Sequence, residues 1–225
     1  VLILGGGIKY GKAEVDLLNF LKDFHIPIVT TWSGVDLIDH NNSKYIGNIG
    51  VYGSRAANFT VQNSDLIFSL GSRLDTRITG GVPKSFARHA KKIVVDVDKY
   101  ELGKKRGLKI DLKINLHIKD FFKEYKKIKG KIIKKDNWLN KCKNWKKKYP
   151  LILKEFYKEK KHVNPYVLMG KISKIENKNI RISEMWAIIN KENDFNVLHT
   201  HPNCYLSSTY YVKAKQNCGK FEIEN

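Results

Sequence analysis

IGNIGVYGSRAANFTVQNSDLIFSLGSRLDTRITGG, residues Ile46 to Gly81, decides the fold class. Its centre, Asp65 to Leu70 (DLIFSL), is a short apolar run between polar residues, the pattern of a strand buried on both faces. Before it, Ser54 to Asn63 carries Ala56, Ala57, Phe59 and Val61 at spacings that suit a short helix better than a strand. After it come Gly71-Ser72-Arg73 and then Asp75 and Arg77 in a polar turn. In an open parallel sheet, ligands bind in the crevice outside the carboxyl ends of the strands. The glycine, the acid and both arginines fall at such an end, so a ligand is expected there.

Working outward, Val1 to Leu4 followed by Gly5-Gly6-Gly7 predicts a strand closed by a glycine turn. Lys12 to Phe24 predicts a helix with Val15, Leu17, Leu18 and Leu21 on its apolar face, and Pro27 to Thr31 a second strand ending in Trp32-Ser33-Gly34. The three glycines either let the backbone approach an anionic ligand closely or make a tight turn with no ligand. Lys92 to Asp98 (KIVVDVD) predicts a strand ending in two acids. Asp98 reads as a helix N-cap, whereas Asp96 suits either a cap or an acceptor for a ribose hydroxyl. Leu108 to Leu116 alternates like an edge strand. Strands alternating with helices indicate an α/β fold: a Rossmann-like parallel sheet flanked by helices over residues 1–118, followed by a lysine-rich helical linker over 119–163. An incomplete C-terminal segment is expected over 164–225, where Pro165 opens a helix and the pattern fades beyond Asn179.

The formal charge of +20 is concentrated between Lys119 and Lys161, interleaved with Trp138, Trp145, Tyr149 and Tyr157. The favoured reading is a solvated helical face with its aromatic residues turned inward; the alternative is a nucleic-acid surface. No stretch approaches the roughly 18–20 apolar residues of a membrane span, and a soluble, cytoplasmic protein without membrane partners is expected. Cys142, Cys204 and Cys218 form no CxxC pair, which argues against a disulfide framework and a zinc site. His199-Thr200-His201 lacks a third ligand at suitable spacing and reads as a loop pair, so no metal ligand is expected.

In this order, GGG, IPIVTTWSG, IGVYGSRAANFTVQNSDLIFSLGSRLDTRITG and IVVDVD resemble the central domain of thiamine-diphosphate-dependent enzymes, most of all the acetolactate synthase branch. The resemblance covers residues 1–115, and NPYVLMGKIS resembles the helix that opens that family's diphosphate-binding C-terminal domain. It implies a transferase that decarboxylates a 2-oxo acid such as pyruvate and joins the product to a second carbonyl, working as a homo-oligomer with thiamine diphosphate and Mg²⁺. The central domain of that branch holds FAD, and other branches hold ADP or nothing. The resemblance therefore assigns cofactor binding to Gly5, Gly6, Gly7, Thr31, Trp32, Val51, Tyr52, Gly53, Gly71, Ser72, Arg73, Asp75, Arg77, Ile78, Asp96 and Val97. Val51-Tyr52 departs from the Met-His pair usual in the flavin-holding members. For the arginines the competing expectation is an ion pair with Asp75 or Asp65. No catalytic residue is expected, because neither the activating glutamate's domain nor the GDG-type metal motif is recognisable. The chain reads as an enzyme fragment, inactive alone; a noncatalytic nucleotide- or nucleic-acid-binding module is the alternative.

Overall fold

Six short strands line up in parallel, and helices pack on both faces of the sheet. The computed structural model describes residues 1–128, 133–158 and 164–175 and divides into two units, Val1–Pro150 and Leu151–Asn225. In chain order the first unit holds β1 (Leu2–Leu4), α1 (Gly7–Tyr10), α2 (Glu14–Phe20), β2 (Phe24–His25), β3 (Ile28–Thr30) and β4 (Tyr45–Asn48). Then follow α3 (Arg55–Gln62), β5 (Leu66–Leu70), α4 (Thr76–Thr79), β6 (Lys91–Asp96) and α5 (Lys99–Gly103). It closes with β7 (Leu112–Asn115), α6 (Ile118–Ile128), β8 (Ile133–Lys134) and α7 (Asp136–Lys148).

The sheet runs β4-β3-β1-β5-β6-β7, and β2 pairs separately with β8. The chain therefore builds outward from β1 to β4, returns to the other side of β1 and builds outward again to β7. That reversal makes the gap between the ends of β1 and β5 the switch point at which such sheets bind ligands. Strand β5 registers Leu66–Leu70 against Lys91–Val95 on one side and Phe68–Leu70 against Leu2–Leu4 on the other, as a central strand must.

Alternation along each strand sends residues to two cores. Ile3, Val29, Ile46, Ile67 and Val94 meet Ala56, Ala57 and Val61 of α3 and Leu139 and Cys142 of α7. Leu2, Leu4, Ile28, Leu70 and Val95 meet Leu17 and Phe20 of α2 and Ile118, Phe121 and Phe122 of α6. On that second face Phe20 is the hub, 4.5 Å from Phe24 and 5.3 Å from Phe122 between ring centroids.

Several expectations change here. The segment 12–24 is not one helix: α2 begins at Glu14, a 3₁₀ turn covers Leu21–Asp23, and the buried stripe is Leu17, Phe20, Leu21 and Phe24. Val15 and Leu18, assigned to the apolar face, are 73% and 55% exposed. Strand β4 had no counterpart in the sequence reading. Helix α7, read as part of a linker, belongs to the first unit, which runs past 118 to Pro150. Trp138 and Trp145 pack against the first core, and Trp145 stands 6.0 Å from Phe59 of α3. The tryptophans of that helix thus turn inward and Lys141, Lys147 and Lys148 outward, as favoured over a nucleic-acid surface.

Two more features fit their predicted elements. Asp98 caps α5, its Oδ1 accepting from the N–H groups of Tyr100 and Glu101. In the second unit α8 runs Pro165–Ile175 with proline at its first position, where its missing N–H costs no hydrogen bond. The His199–His201 pair, Cys204 and Cys218 lie outside the described residues.

Ser69, in the middle of β5, is fully buried, and its hydroxyl has no partner among the described residues. An unsatisfied buried hydroxyl carries its full desolvation cost. Ser69→Ala is therefore expected to leave stability unchanged or raise it by about 1 kcal/mol. Urea unfolding measures this, and a clear destabilisation would mean that the hydroxyl has a partner.

Candidate functional site

The switch point is closed at its base by backbone. Gly5 N–H donates to Leu70 O and Gly7 N–H to Gly71 O, both at 2.9 Å, which ties the turn after β1 to the turn after β5. A Cβ at Gly5 would collide with Gly71 O and lie 2.7 Å from Gly71 C; one at Gly7 would lie 2.8 Å from Gly71 O. At Gly6 it would meet Ser33 Oγ at 2.7 Å, and Gly71 itself has φ +63°. The glycines expected along a ligand thus bring two strand ends and the Trp32–Gly34 turn into contact with one another.

Around this base the expected residues fall into two groups. On the β3–β4 side, Thr31 is buried, with Oγ1 3.4 Å from Ser33 Oγ. Trp32 meets Tyr52 edge to face at 5.3 Å, and both stay exposed, at 39% and 74%. Val51 is exposed beside them, and its N–H donates to Arg77 O at 2.8 Å. Gly50 (φ +106°) and Gly53 allow this close turn: a Cβ at Gly53 would lie 2.6 Å from Asn48 O. The turn from β4 is thereby locked to α4, which Asp75 caps by accepting from Arg77 N–H at 2.9 Å. Ile78 packs against the first core.

On the β5–β6 side a small crevice is lined by Ser72, Arg73, Leu74, Val94, Asp96, Glu101, Leu102 and Ile110. Leu74 adopts φ +50° and is buried in the core, and its N–H donates to Ser72 Oγ at 3.3 Å. Arg73, between these two inward residues, is left on the rim with its side chain 61% exposed. Its one ion pair among the described residues is Asp75 at 4.0 Å, and Arg77 has none. An exposed pair at that distance is worth little, so both guanidinium groups keep their donors for another partner. The expected pairing of the arginines with Asp75 is present only in this weak form, and that with Asp65 is absent among the described residues.

Facing Arg73, Asp96 ends β6 with one carboxylate oxygen accepting from Asp98 N–H at 2.9 Å. Burial pushes its carboxyl above the usual carboxylate range, Asp98 and Glu101 push the same way, and the Asp98 N–H and Arg73 oppose them. Val97 beyond it is 66% exposed. Glu101, which sequence reasoning missed, is buried in the same wall. It takes a hydrogen bond from Lys104 and another from Arg106 at 3.0 Å, and its carboxyl is held below the usual range, first by Lys104. The Asp98-x-x-Glu101 spacing of a capping box was the signal that could have found it.

This donor set suits a ligand with an anionic part and a polyol part: arginine forks, a carboxylate at the end of β6 and exposed aromatic rings at the adjacent strand ends. Among the described residues no group of three or more His, Cys, Asp or Glu side chains is arranged to hold a metal ion. No described helix is long and apolar enough to cross a membrane.

Comparison with known proteins agrees with this fold. Residues 1–124 match the family model described as thiamine pyrophosphate enzyme, central domain. Residues 184–225 match a different one, described as putative 2OG-Fe(II) oxygenase. The acetolactate synthase large subunit of Cyanidium caldarium is 32% identical over 196 residues, covering 83% of this chain and 33% of its own length. Isozyme 2 large subunit of Escherichia coli is 35% identical over 117 residues, covering 52% of this chain and 21% of its own length. The mitochondrial catalytic subunit of Saccharomyces cerevisiae acetolactate synthase is 30% identical over 186 residues, 79% of this chain and 27% of its own length. The chain thus spans a third or less of the length of these relatives. With more than half of its residues inside one family model, it belongs to the thiamine pyrophosphate enzyme family, as that family's central domain.

Proposed function

We propose that the first unit is the nucleotide-holding scaffold of a thiamine-diphosphate-dependent, acetolactate-synthase-like enzyme, and that it takes FAD or ADP. The observation that carries this is the exposed, weakly paired Arg73 lining one crevice with Asp96, beside the switch point of a parallel sheet. A guanidinium fork matches a diphosphate bidentately. A carboxylate at a strand end accepts from a ribose hydroxyl. In this reading Arg73 and Arg77 clamp the diphosphate and Asp96 takes the sugar. The exposed Trp32–Tyr52 pair offers ring surface to a flat heterocycle. In this reading the nucleotide lies over the crevice with its sugar toward Asp96, and the rest of a dinucleotide extends along the strand ends past Gly53 and Val97.

The whole enzyme would decarboxylate a 2-oxo acid and ligate the product to a second carbonyl, as a cytoplasmic homo-oligomer. Thiamine diphosphate with Mg²⁺ supplies the carbanion chemistry in that reaction. Helix α8 would open the domain that binds it. The described residues bind and orient; they move no proton in this scheme.

Titrating the purified chain with FAD and with ADP tests the reading. Arg73→Ala and Arg77→Ala are each expected to weaken binding by about 10- to 100-fold, the loss of a charge-assisted hydrogen bond or two. Yellow protein as isolated would favour FAD over ADP. Absence of binding by either nucleotide would overturn the proposal.

A further inference from the structure

We infer that Asn58 of α3 is a positioning residue: without meeting the nucleotide, it holds the turn after β4 in the shape that receives one. This deepens the nucleotide reading and rests on it.

The turn from Gly50 to Gly53 has little apolar anchorage of its own. Its ends are fixed, since Ile49 is buried in the first core and Ser54 N–H donates to Asn48 O at 2.8 Å. Between those ends Val51 and Tyr52 are 64% and 74% exposed, so burial contributes little to the shape of the turn. Hydrogen bonds supply it instead. Asn58 Oδ1 accepts from Gly50 N–H at 3.0 Å, and Asn58 Nδ2 donates to Gly50 O at 2.9 Å. One side-chain amide thus takes both backbone groups of one residue. Its orientation follows, because Gly50 N–H needs the oxygen and Gly50 O the nitrogen. The residue so clamped is the one at φ +106°, where the chain changes direction toward Val51 and Tyr52.

Two parts of the proposed site depend on that clamp. Gly53 N–H donates to Gly50 O at 3.0 Å, which closes the turn that sets Tyr52 edge to face with Trp32. Val51 N–H donates to Arg77 O, so the same turn supports α4, a helix of four residues and too short to be stable by itself. Helix α3 is a firm base for this: Ser54 caps it, and Ala56, Ala57 and Val61 are buried in the first core. Asn58 therefore acts on the ligand through Tyr52 and Arg77. Once the clamp is removed, the turn samples other shapes, and the apparent affinity falls by the fraction of time spent in the receptive one.

The test titrates FAD and ADP on the full chain and on three variants: Asn58→Ala, Asn58→Asp and Asn63→Ala. Asn58→Ala is expected to weaken binding about tenfold, chiefly through slower association. Asn58→Asp keeps an acceptor for Gly50 N–H but turns a carboxylate oxygen toward Gly50 O, so it should lose at least as much. Asn63, whose Nδ2 donates to Phe59 O at the end of the same helix, is the control, and Asn63→Ala should bind as the unsubstituted chain does. In the ligand-free protein, amide hydrogen exchange at Gly50 and Val51 should quicken in both Asn58 variants and not in Asn63→Ala. A merely structural Asn58 would lower the unfolding midpoint in urea and leave the affinity of the folded protein unchanged; that result overturns the inference. The near-isosteric Asn58→Asp carries the same test if Asn58→Ala fails to fold. Binding that the Asn58 variants keep in full overturns this inference alone, whereas binding of neither nucleotide by the unsubstituted chain overturns the nucleotide reading and the inference with it.

Discussion

Gly5→Ala is expected to cost the first unit about 3 kcal/mol or more, at or above the upper end for overpacking. The added methyl would collide with Gly71 O, and it would lie 2.6 Å from Ser72 Cβ and 2.7 Å from Gly71 C. A flexible side chain could rotate away, but these atoms are backbone or fixed directly to it. They are also held by the Gly5 N–H to Leu70 O bond at 2.9 Å and by the register of Leu4 against Leu70. Relief requires the ends of β1 and β5 to separate, and that separation also moves Ser72 and Arg73. The substitution should therefore lower the unfolding midpoint in urea and weaken nucleotide binding together. Gly103→Ala is the matched control: nothing lies within 4 Å of its added Cβ, so it should be neutral or slightly stabilising. A Gly5→Ala protein as stable as the Gly103→Ala protein would show that the two turns yield easily. The close approach would then be no constraint on the sequence.

The same pair of turns marks where sequence reasoning stops. DLIFSL was legible as a central strand because burial on both faces leaves a continuous apolar run. GGG was legible as a turn. Its contact with Gly71 was not, because two stretches more than sixty residues apart meet only once the strand order is known. The misassigned Val15 and Leu18 have a similar cause: counting a helical period from Lys12 ignores the break at Ala13 that rotates α2 on the sheet. Strand β4 escaped notice because Tyr45-Ile46-Gly47-Asn48 mixes polar and apolar residues and bends at Gly47, φ +150°. For the site, Arg73 and Asp96 were legible as strand-end residues. Glu101 was not, since its place in the wall depends on the turn of α5 after the Asp98 cap.

Leu139→Asp is the second large expected effect, and it concerns where the domain ends. The match to the central-domain family model stops at residue 124, and the lysines of α7 make that helix look like a solvated spacer. Its apolar residues tell otherwise: Trp138, Leu139, Cys142 and Trp145 follow a helical period and face α3. Leu139 is 1% exposed and Cys142 fully buried, and Lys146 Nζ donates to Tyr45 O at 2.8 Å, which anchors the helix to β4. An aspartate at 139 would be an unpaired charge in an apolar core, costing about 3 kcal/mol or more. Lys147→Asp, a like change on the exposed side of the same helix, should stay within about 0.5 kcal/mol. Urea unfolding followed by the fluorescence of Trp138 and Trp145 reads both. If the two variants unfold alike, α7 is a spacer and the first unit ends with α6. If Leu139→Asp alone unfolds early, α7 is part of the lid over Ile46, Ala56 and Val61, and the fold that presents Arg73 and Asp96 depends on it.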